Sequence, residues 1–307
     1  MRTTNFAGYL LLVFSVVFIT SCGKFNKLQK TGTDTEKYDA AISYYKKGEF
    51  YKAGILFEEI IPLLKGSSES EMAQFYNAYC QFQQGQYSTS QMYFKKFYDT
   101  YARSDFAQEA FYMHAFSLYK DSSPFNLDQT STFTAISAMQ DFINTYPESP
   151  FREECTKYIL ELRAKLEKKS YEKAKLYFKI SDYNPMSLKS AVISIDNFRK
   201  DFPDSQYNEE LAFLKVGAQY DLAVNSFDVK QKERFKDVVK FYQELVDKYP
   251  TGEYLRDAEK MYSASQKQLE VFAKAENERL KSQEANPDSA TKPTKVTAPS
   301  ASETKVP

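Results

Sequence analysis

Apolar residues recur along this chain with a spacing that suits one face of a helix. Five segments share a 3-4-3-4 step: Phe50, Ala53, Phe57, Ile60, Leu64; Tyr87, Ser90, Phe94, Phe97, Tyr101; Thr132, Ala135, Met139, Phe142, Tyr146; Leu188, Ala191, Ile195, Phe198, Phe202; and Phe235, Val238, Tyr242, Leu245, Tyr249. Each step keeps all five side chains on a single face of an α-helix. The second position is small in four segments and Val in the fifth, which lets a neighbouring helix cross closely.

The junction after each segment also repeats. Tyr101-Ala102-Arg103-Ser104, Tyr146-Pro147-Glu148-Ser149, Phe202-Pro203-Asp204-Ser205 and Tyr249-Pro250-Thr251-Gly252 share one design. Proline stops a helix because it lacks an N–H and disfavours the α conformation before it. The serine two residues later is suited to cap the next helix. A partner helix precedes each of the first segments. Tyr38, Ala41, Tyr45 and Gly48 match Phe75, Ala78, Phe82 and Gly85, and Tyr112, Ala115 and Tyr119 repeat the pattern without the glycine. Gly48 and Gly85 sit where a tight inter-helix turn needs a left-handed residue. Asp121 to Gln129 reads as a loop insertion, and Arg152 to Lys169 as an extra helix before the fourth hairpin. Tyr254, Ala258, Met261, Ser265, Leu269 and Phe272 form the stripe of a closing helix, which a terminal repeat needs to cover its open face. The expected fold is all-α: a TPR-like α-solenoid of about five helical hairpins with a C-terminal capping helix.

The ends differ from this array. Met1-Arg2 is a short positive start, and Phe6 to Ile19 is an apolar run. It is shorter than the roughly 20 residues a bilayer span requires, but it suits a secretory signal. Ile19-Thr20-Ser21-Cys22 then resembles a lipobox, which makes Cys22 the predicted lipidation site; the alternative is ordinary secretion with a free thiol. The expected organisation is a signal peptide over 1–21, a lipidated polar tether over 22–33, the repeat domain over 34–282 and a disordered tail over 283–307. The tail is Pro, Ser, Thr, Ala and Lys with hardly any apolar bulk.

Composition narrows the function. There are 24 Tyr and 25 Phe but no Trp, and only 9 Gly in 307 residues, which favours helices with short turns over a sandwich or barrel. Lys+Arg and Asp+Glu balance at 41 each, so nothing steers the chain to nucleic acid. Cys80 and Cys155 fall in different hairpins, too far apart for a disulfide, and read as buried free thiols. No catalytic, metal or cofactor site is predicted, and no cofactor is expected. His114 is the only histidine and reads as a packed side chain. Glu58-Glu59, Glu153-Glu154 and Glu209-Glu210 are the best carboxylates for acid/base work, but first-turn residues and solvated faces explain them more simply. Tyr44, Tyr51, Tyr76 and Tyr93 lie off the packing stripe, where they either contact a partner or bridge adjacent hairpins.

Taken together, the lipidated N-terminus, the Tyr38-x-x-Ala41 hairpin continuing through Ala53, and the Tyr146-Pro147-Glu148-Ser149 and Phe202-Pro203-Asp204-Ser205 junctions resemble the BamD (YfiO) family. The resemblance covers about Thr35 to Leu269. It implies a non-enzymatic scaffold of the outer-membrane β-barrel assembly machinery, lipid-anchored and facing the periplasm. Its implied partners are a BamA-like barrel protein, other assembly-complex subunits, and unfolded outer-membrane protein clients received by the N-terminal repeats. The fourth hairpin departs from the family at Tyr177-Phe178-Lys179-Ile180-Ser181-Asp182-Tyr183-Asn184-Pro185, so no partner-contact residue is transferred there. A glycan-binding nutrient-uptake lipoprotein of the SusD type and an envelope-coordination TPR protein are the alternatives. The missing Trp platforms speak against the first, and the missing heptad run against the second.

Overall fold

The computed structural model describes residues 23–182 and 184–285. Cys22, the expected signal peptide over 1–21 and all but the first three residues of the tail expected over 283–307 lie outside the described residues. Among those described, every regular element is helical. A first helix, α1, covers 23–31. It is followed by α2 (Asp34–Lys46), α3 (Phe50–Ile60), α4 (Ser68–Gln83), α5 (Tyr87–Thr100), α6 (Ala107–Asp121) and α7 (Thr130–Thr145). Then come α8 (Arg152–Lys179), a short 3-10 turn (Ile180–Asp182), α9 (Ser187–Asp201), α10 (Asn208–Val224), α11 (Asp228–Lys248) and α12 (Leu255–Ala285). The pairs α2/α3, α4/α5, α6/α7 and α10/α11 are antiparallel hairpins, and α9 closes the fourth against the C-terminal part of α8. The solenoid of hairpins is as expected, but it divides into two compact units between Lys169 and Ser170.

The repeated pattern works as its chemistry requires. The second position of all five segments (Ala53, Ser90, Ala135, Ala191 and Val238) is 0% exposed. The crossing at Ser90 is close enough for its Oγ to donate to the Ala78 carbonyl at 3.1 Å. A bulkier residue there would separate the backbones. Phe57, Phe94, Phe97 and Phe142 are fully buried in the first unit, and Phe198 and Leu211 in the second. Each such side chain contributes about 2–3 kcal/mol by leaving water.

Turns depend on single residues. Gly48 and Gly85 have φ of +76° and +74°, and their turns carry matching bonds. Gly48 N–H donates to Tyr45 O at 3.0 Å and Gly85 N–H to Phe82 O at 2.9 Å. At the aromatic junctions, Tyr101, Tyr146, Phe202 and Tyr249 leave the helix with φ between −114° and −132° and ψ between 50° and 69°. The expected serine caps act one step earlier than predicted. Ser104, Ser149 and Ser205 accept from the N–H two residues on (Phe106 3.0 Å, Phe151 3.2 Å, Tyr207 3.1 Å), so they close the lead-in turn, and the helix starts after it. Gly252 has no hydroxyl. Glu209 Oε1 reaches across to accept from Glu253 N–H at 2.8 Å instead.

Three boundaries differ from the sequence reading. Helix α3 stops at Ile60, because Pro62 cannot continue it, and Leu64 packs on the core from beyond the helix end. The extra helix and the first helix of the fourth hairpin are one 28-residue helix, α8. No Gly or Pro interrupts Arg152–Lys179, and its Lys, Glu, Ala and Leu favour continuation. The polar tether is helical over 23–31 and is packed down. Phe25 is 7% exposed with its ring 5.7 Å from that of Tyr44, and Gln29 Nε2 donates to Glu59 Oε1 at 2.6 Å.

Candidate interaction surface

In the first unit, the leading helices of successive hairpins are joined by tyrosines and carboxylates. Tyr79 on α4 donates to Glu109 on α6. Tyr112 on α6 donates to Glu154 on α8 at 2.7 Å, and Tyr119 to Glu161 at 2.5 Å. Glu154 also accepts from Tyr158 at 2.6 Å. The bonds from Tyr158 and Tyr112 hold the Glu154 carboxyl below its usual pKa, and burial together with Glu154 pushes the Tyr112 phenol upward. In the second unit, Tyr171 and Lys175 likewise donate to Glu210, at 2.6 and 2.8 Å.

Aromatic rings run alongside these bonds. Phe82 and Phe116 lie 5.5 Å apart, Phe116 and Tyr158 5.2 Å, and Tyr119 and Tyr158 4.2 Å. Each such pair contributes about 0.5–1.5 kcal/mol beyond its buried area. Phe82, Phe116, Tyr119 and Tyr158 remain half-buried. The row therefore fixes the hairpins to one another and leaves an amphipathic strip half-exposed.

A second feature is polar. Gln74, Asn77 and Gln81 occupy i, i+3 and i+7 on the face of α4 that meets α3. Asn77 is 3% exposed and Gln81 6%. Gln81 Nε2 donates to Glu58 Oε1 at 3.1 Å, and the Tyr93 hydroxyl reaches the same oxygen at 3.4 Å. Asn77 Oδ1 is buried with no hydrogen-bond partner. A cavity of about 150 Å³ opens here, lined by Glu58, Ile61, Gln74, Asn77, Tyr93 and Lys96 among others. Sequence reasoning misses this cavity, although polar residues at helical spacing on a core-facing stripe are a signal for it.

The residues singled out from the sequence mostly join hairpins. Tyr44 packs on Phe25. Tyr76 lies 4.6 Å from Tyr45, and Tyr93 reaches back to Glu58. Of these four tyrosines only Tyr51, at 68% exposed, is left for a partner. Of the carboxylates, Glu59 ties Gln29 and Lys37 to α3, the latter at 2.9 Å. Glu154, Glu209 and Glu210 serve as the bridges described above. They begin helices, as expected, but they are bonded rather than merely solvated. His114 is 8% exposed, with Nδ1 2.8 Å from the Gln91 carbonyl, and burial lowers its pKa. Cys80 and Cys155 are buried free thiols, with burial raising each to about 12, which leaves them unreactive. Cys22 cannot be placed, since it lies outside the described residues. In the second unit, the start of α11 presents Phe227 at 90% and Val229 at 89% exposed. Among the described residues no helix is long and apolar enough to cross a membrane.

Among solved structures, the chain is similar to the nearly identical TPR-like repeats of a Podosopora anserina chain described as a putative kinesin light chain. Identity is 12% over 68% of this chain and 95% of that one, with a TM-score of 0.29, a likeness too loose to argue from. No curated protein matches. The family model YfiO, described as an outer membrane lipoprotein, matches residues 30–187 and 180–278. Those matches take in all five hairpins and most of the closing helix, and the chain belongs to the YfiO family of outer membrane lipoproteins.

Proposed function

We propose that this protein is an outer-membrane-anchored periplasmic scaffold of the β-barrel assembly machinery. In this reading Cys22 carries the lipid anchor, since each buried CH₂ of an acyl chain contributes about 0.8 kcal/mol and two chains already hold firmly. The hairpin array docks on a BamA-like barrel protein and other assembly subunits, and the N-terminal hairpins receive unfolded outer-membrane proteins. The observation that carries the reading is the family match running through every hairpin. The half-buried aromatic row and the exposed Phe227 turn support it, because a scaffold needs surfaces that its own core does not consume. The sequence motifs contribute no nucleophile, metal set or phosphate loop that would compete with a binding role.

The test is depletion in the native host, followed by quantitative proteomics of the outer membrane. Barrel proteins should fall severalfold while other lipoproteins hold their levels, and Cys22→Ser should move the protein into the soluble periplasmic fraction. Unchanged barrel proteins on depletion would rule out the assembly role.

A further inference from the structure

Helix α1 leaves almost no chain between the expected lipid anchor and the folded body. It begins at Gly23, the residue after Cys22, and neighbouring Cα atoms lie only about 3.8 Å apart. Phe25 is buried edge-on against Tyr44, and Leu28 joins the same cluster. The Gln29 amide donates to Glu59 Oε1 at 2.6 Å. The far end is fastened too. Gly32 N–H donates to Leu28 O at 2.8 Å, and Thr33 opens α2 through a reciprocal capping pair with Glu36. A segment held in this way does not act as a flexible spacer. Its outer face is basic. Lys24, Lys27 and Lys30 are exposed and follow a three-residue step, which places them within about 120° of arc, opposite Phe25, Leu28 and Gln29. No carboxylate occurs between Gly23 and Thr33. Glu59, which Gln29 meets, is already paired with Lys37 at 2.9 Å.

We propose that α1 lies flat on the membrane and that Lys24, Lys27 and Lys30 bind the phosphates of anionic lipids. An acyl anchor at Cys22 fixes one end of the helix at the lipid surface, and the packed face fixes the helix to the first hairpin. The lysine face is left to meet the headgroups. A flat helix brings all three ammonium groups within the Debye length of about 8 Å over which a charged surface acts. An upright helix would carry the Lys30 backbone about 12 Å from Cys22 and lose most of its attraction. The first hairpin is thereby held against the bilayer rather than swung on a tether. The inference rests on the reading that Cys22 is acylated, and it names the surface that the basic face engages.

The experiment uses the full chain from Cys22 onward, produced without its leader. Cys80 and Cys155 are buried, so a hexadecyl maleimide attaches one acyl chain at Cys22, with the single adduct verified by mass. One chain alone binds bilayers weakly and reversibly, which leaves the lysine contribution measurable. Partition is measured on vesicles of phosphatidylcholine, with and without about one-third phosphatidylglycerol. The anionic vesicles should bind the protein at least tenfold more tightly. The ratio should fall to near one when Lys24→Gln, Lys27→Gln and Lys30→Gln are combined, three exposed substitutions whose fold is checked by circular dichroism. On anionic vesicles, a membrane-impermeant amine reagent should spare all three lysines relative to Lys236, which is exposed in the second unit. Equal partition on the two vesicles, or a triple variant that keeps the preference, overturns the inference. Protection confined to Lys24 overturns the flat orientation. Mass spectrometry of the native N-terminus tests the anchor separately. An unacylated Cys22 sinks the anchor reading and the inference together, whereas an acylated Cys22 with equal partition sinks the inference alone.

Discussion

Lys215 offers a sharp test of how the second unit is held together. It sits on α10 with a side chain 6% exposed, its Nζ 2.7 Å from Asp196 on α9 and 3.5 Å from Glu244 on α11. The same Nζ lies 3.7 Å from the centre of the Phe241 ring. The carboxylates are far wetter, at 50% and 39% exposed. The asymmetry decides the energetics. Lys215→Met removes the one charge that carries a large desolvation cost, and it leaves behind two acids that water can serve. A buried ion pair replaced by apolar bulk is often neutral. The lost cation–π contact, about 2 kcal/mol when desolvated, is partly offset by a sulfur–aromatic contact of up to about 1.5 kcal/mol. The net cost should be below about 1 kcal/mol. Removing both acids, as Asp196→Ala with Glu244→Ala, does the opposite and strands a buried ammonium. Breaking a buried pair in this way costs about 3–5 kcal/mol, and residual hydration places this case near the lower end. Urea unfolding at pH 7, with hydrogen exchange read at α9, α10 and α11 amides, measures both variants. If Lys215→Met destabilises as much as the double acid variant, the desolvation argument is wrong.

Other perturbations test other parts of the structure. Phe142→Ala, at a ring 0% exposed and within 6 Å of the Phe111, Tyr112 and Tyr146 ring centres, should cost about 3–5 kcal/mol in urea unfolding. Gly85→Ala meets nothing within 4 Å, but φ is +74°, so it should cost about 1–2 kcal/mol from backbone strain alone. Gly217→Ala, in contrast, places a methyl in ordinary contact 3.6 Å from the Phe178 ring inside a helix, and it should gain up to about 1 kcal/mol. Equal effects at the two glycines would show that backbone conformation does not control the turns. For Glu154, the folded carboxyl is more acidic than the unfolded one, so its contribution is fully present above the ordinary value of 4.5 and is lost as pH falls through the folded value. The stability gap between wild type and Glu154→Gln in urea should therefore be widest near pH 6 and close toward pH 3; a gap independent of pH would refute the Tyr–Glu bridge.

The hairpins are legible in the sequence because each buries one narrow stripe. Five copies of a 3-4-3-4 pattern, with a small residue second in four of them, leave little room for another fold. The Tyr-Pro-x-Ser junctions are legible because proline and serine act locally. What the stripe cannot reveal is anything between hairpins. Tyr79 meets Glu109 and Tyr112 meets Glu154 at separations that vary from one repeat to the next, and one sequence carries no pairing information. Helix α1 reads as tether because Phe25 and Leu28 are too few to make an amphipathic face; contact with Tyr44 and Glu59 supplies what local pattern lacks. A change of stripe suggests a division of α8 at Lys169, although no Gly or Pro marks a break there. The Asn77 cavity escapes for the converse reason. Amides at helical spacing look like a solvated face until a neighbouring helix covers them.

The central claim is that this lipoprotein works as a subunit of the barrel-assembly machinery. Its most direct test is affinity purification of the tagged protein from mildly solubilised envelopes, with and without Cys22→Ser, and identification of partners by mass spectrometry. Recovery of a BamA-like barrel protein in near-stoichiometric amount is the predicted result. Recovery of a nutrient transporter with no BamA-like protein would contradict it, leaving the hairpin architecture intact and the assigned function wrong.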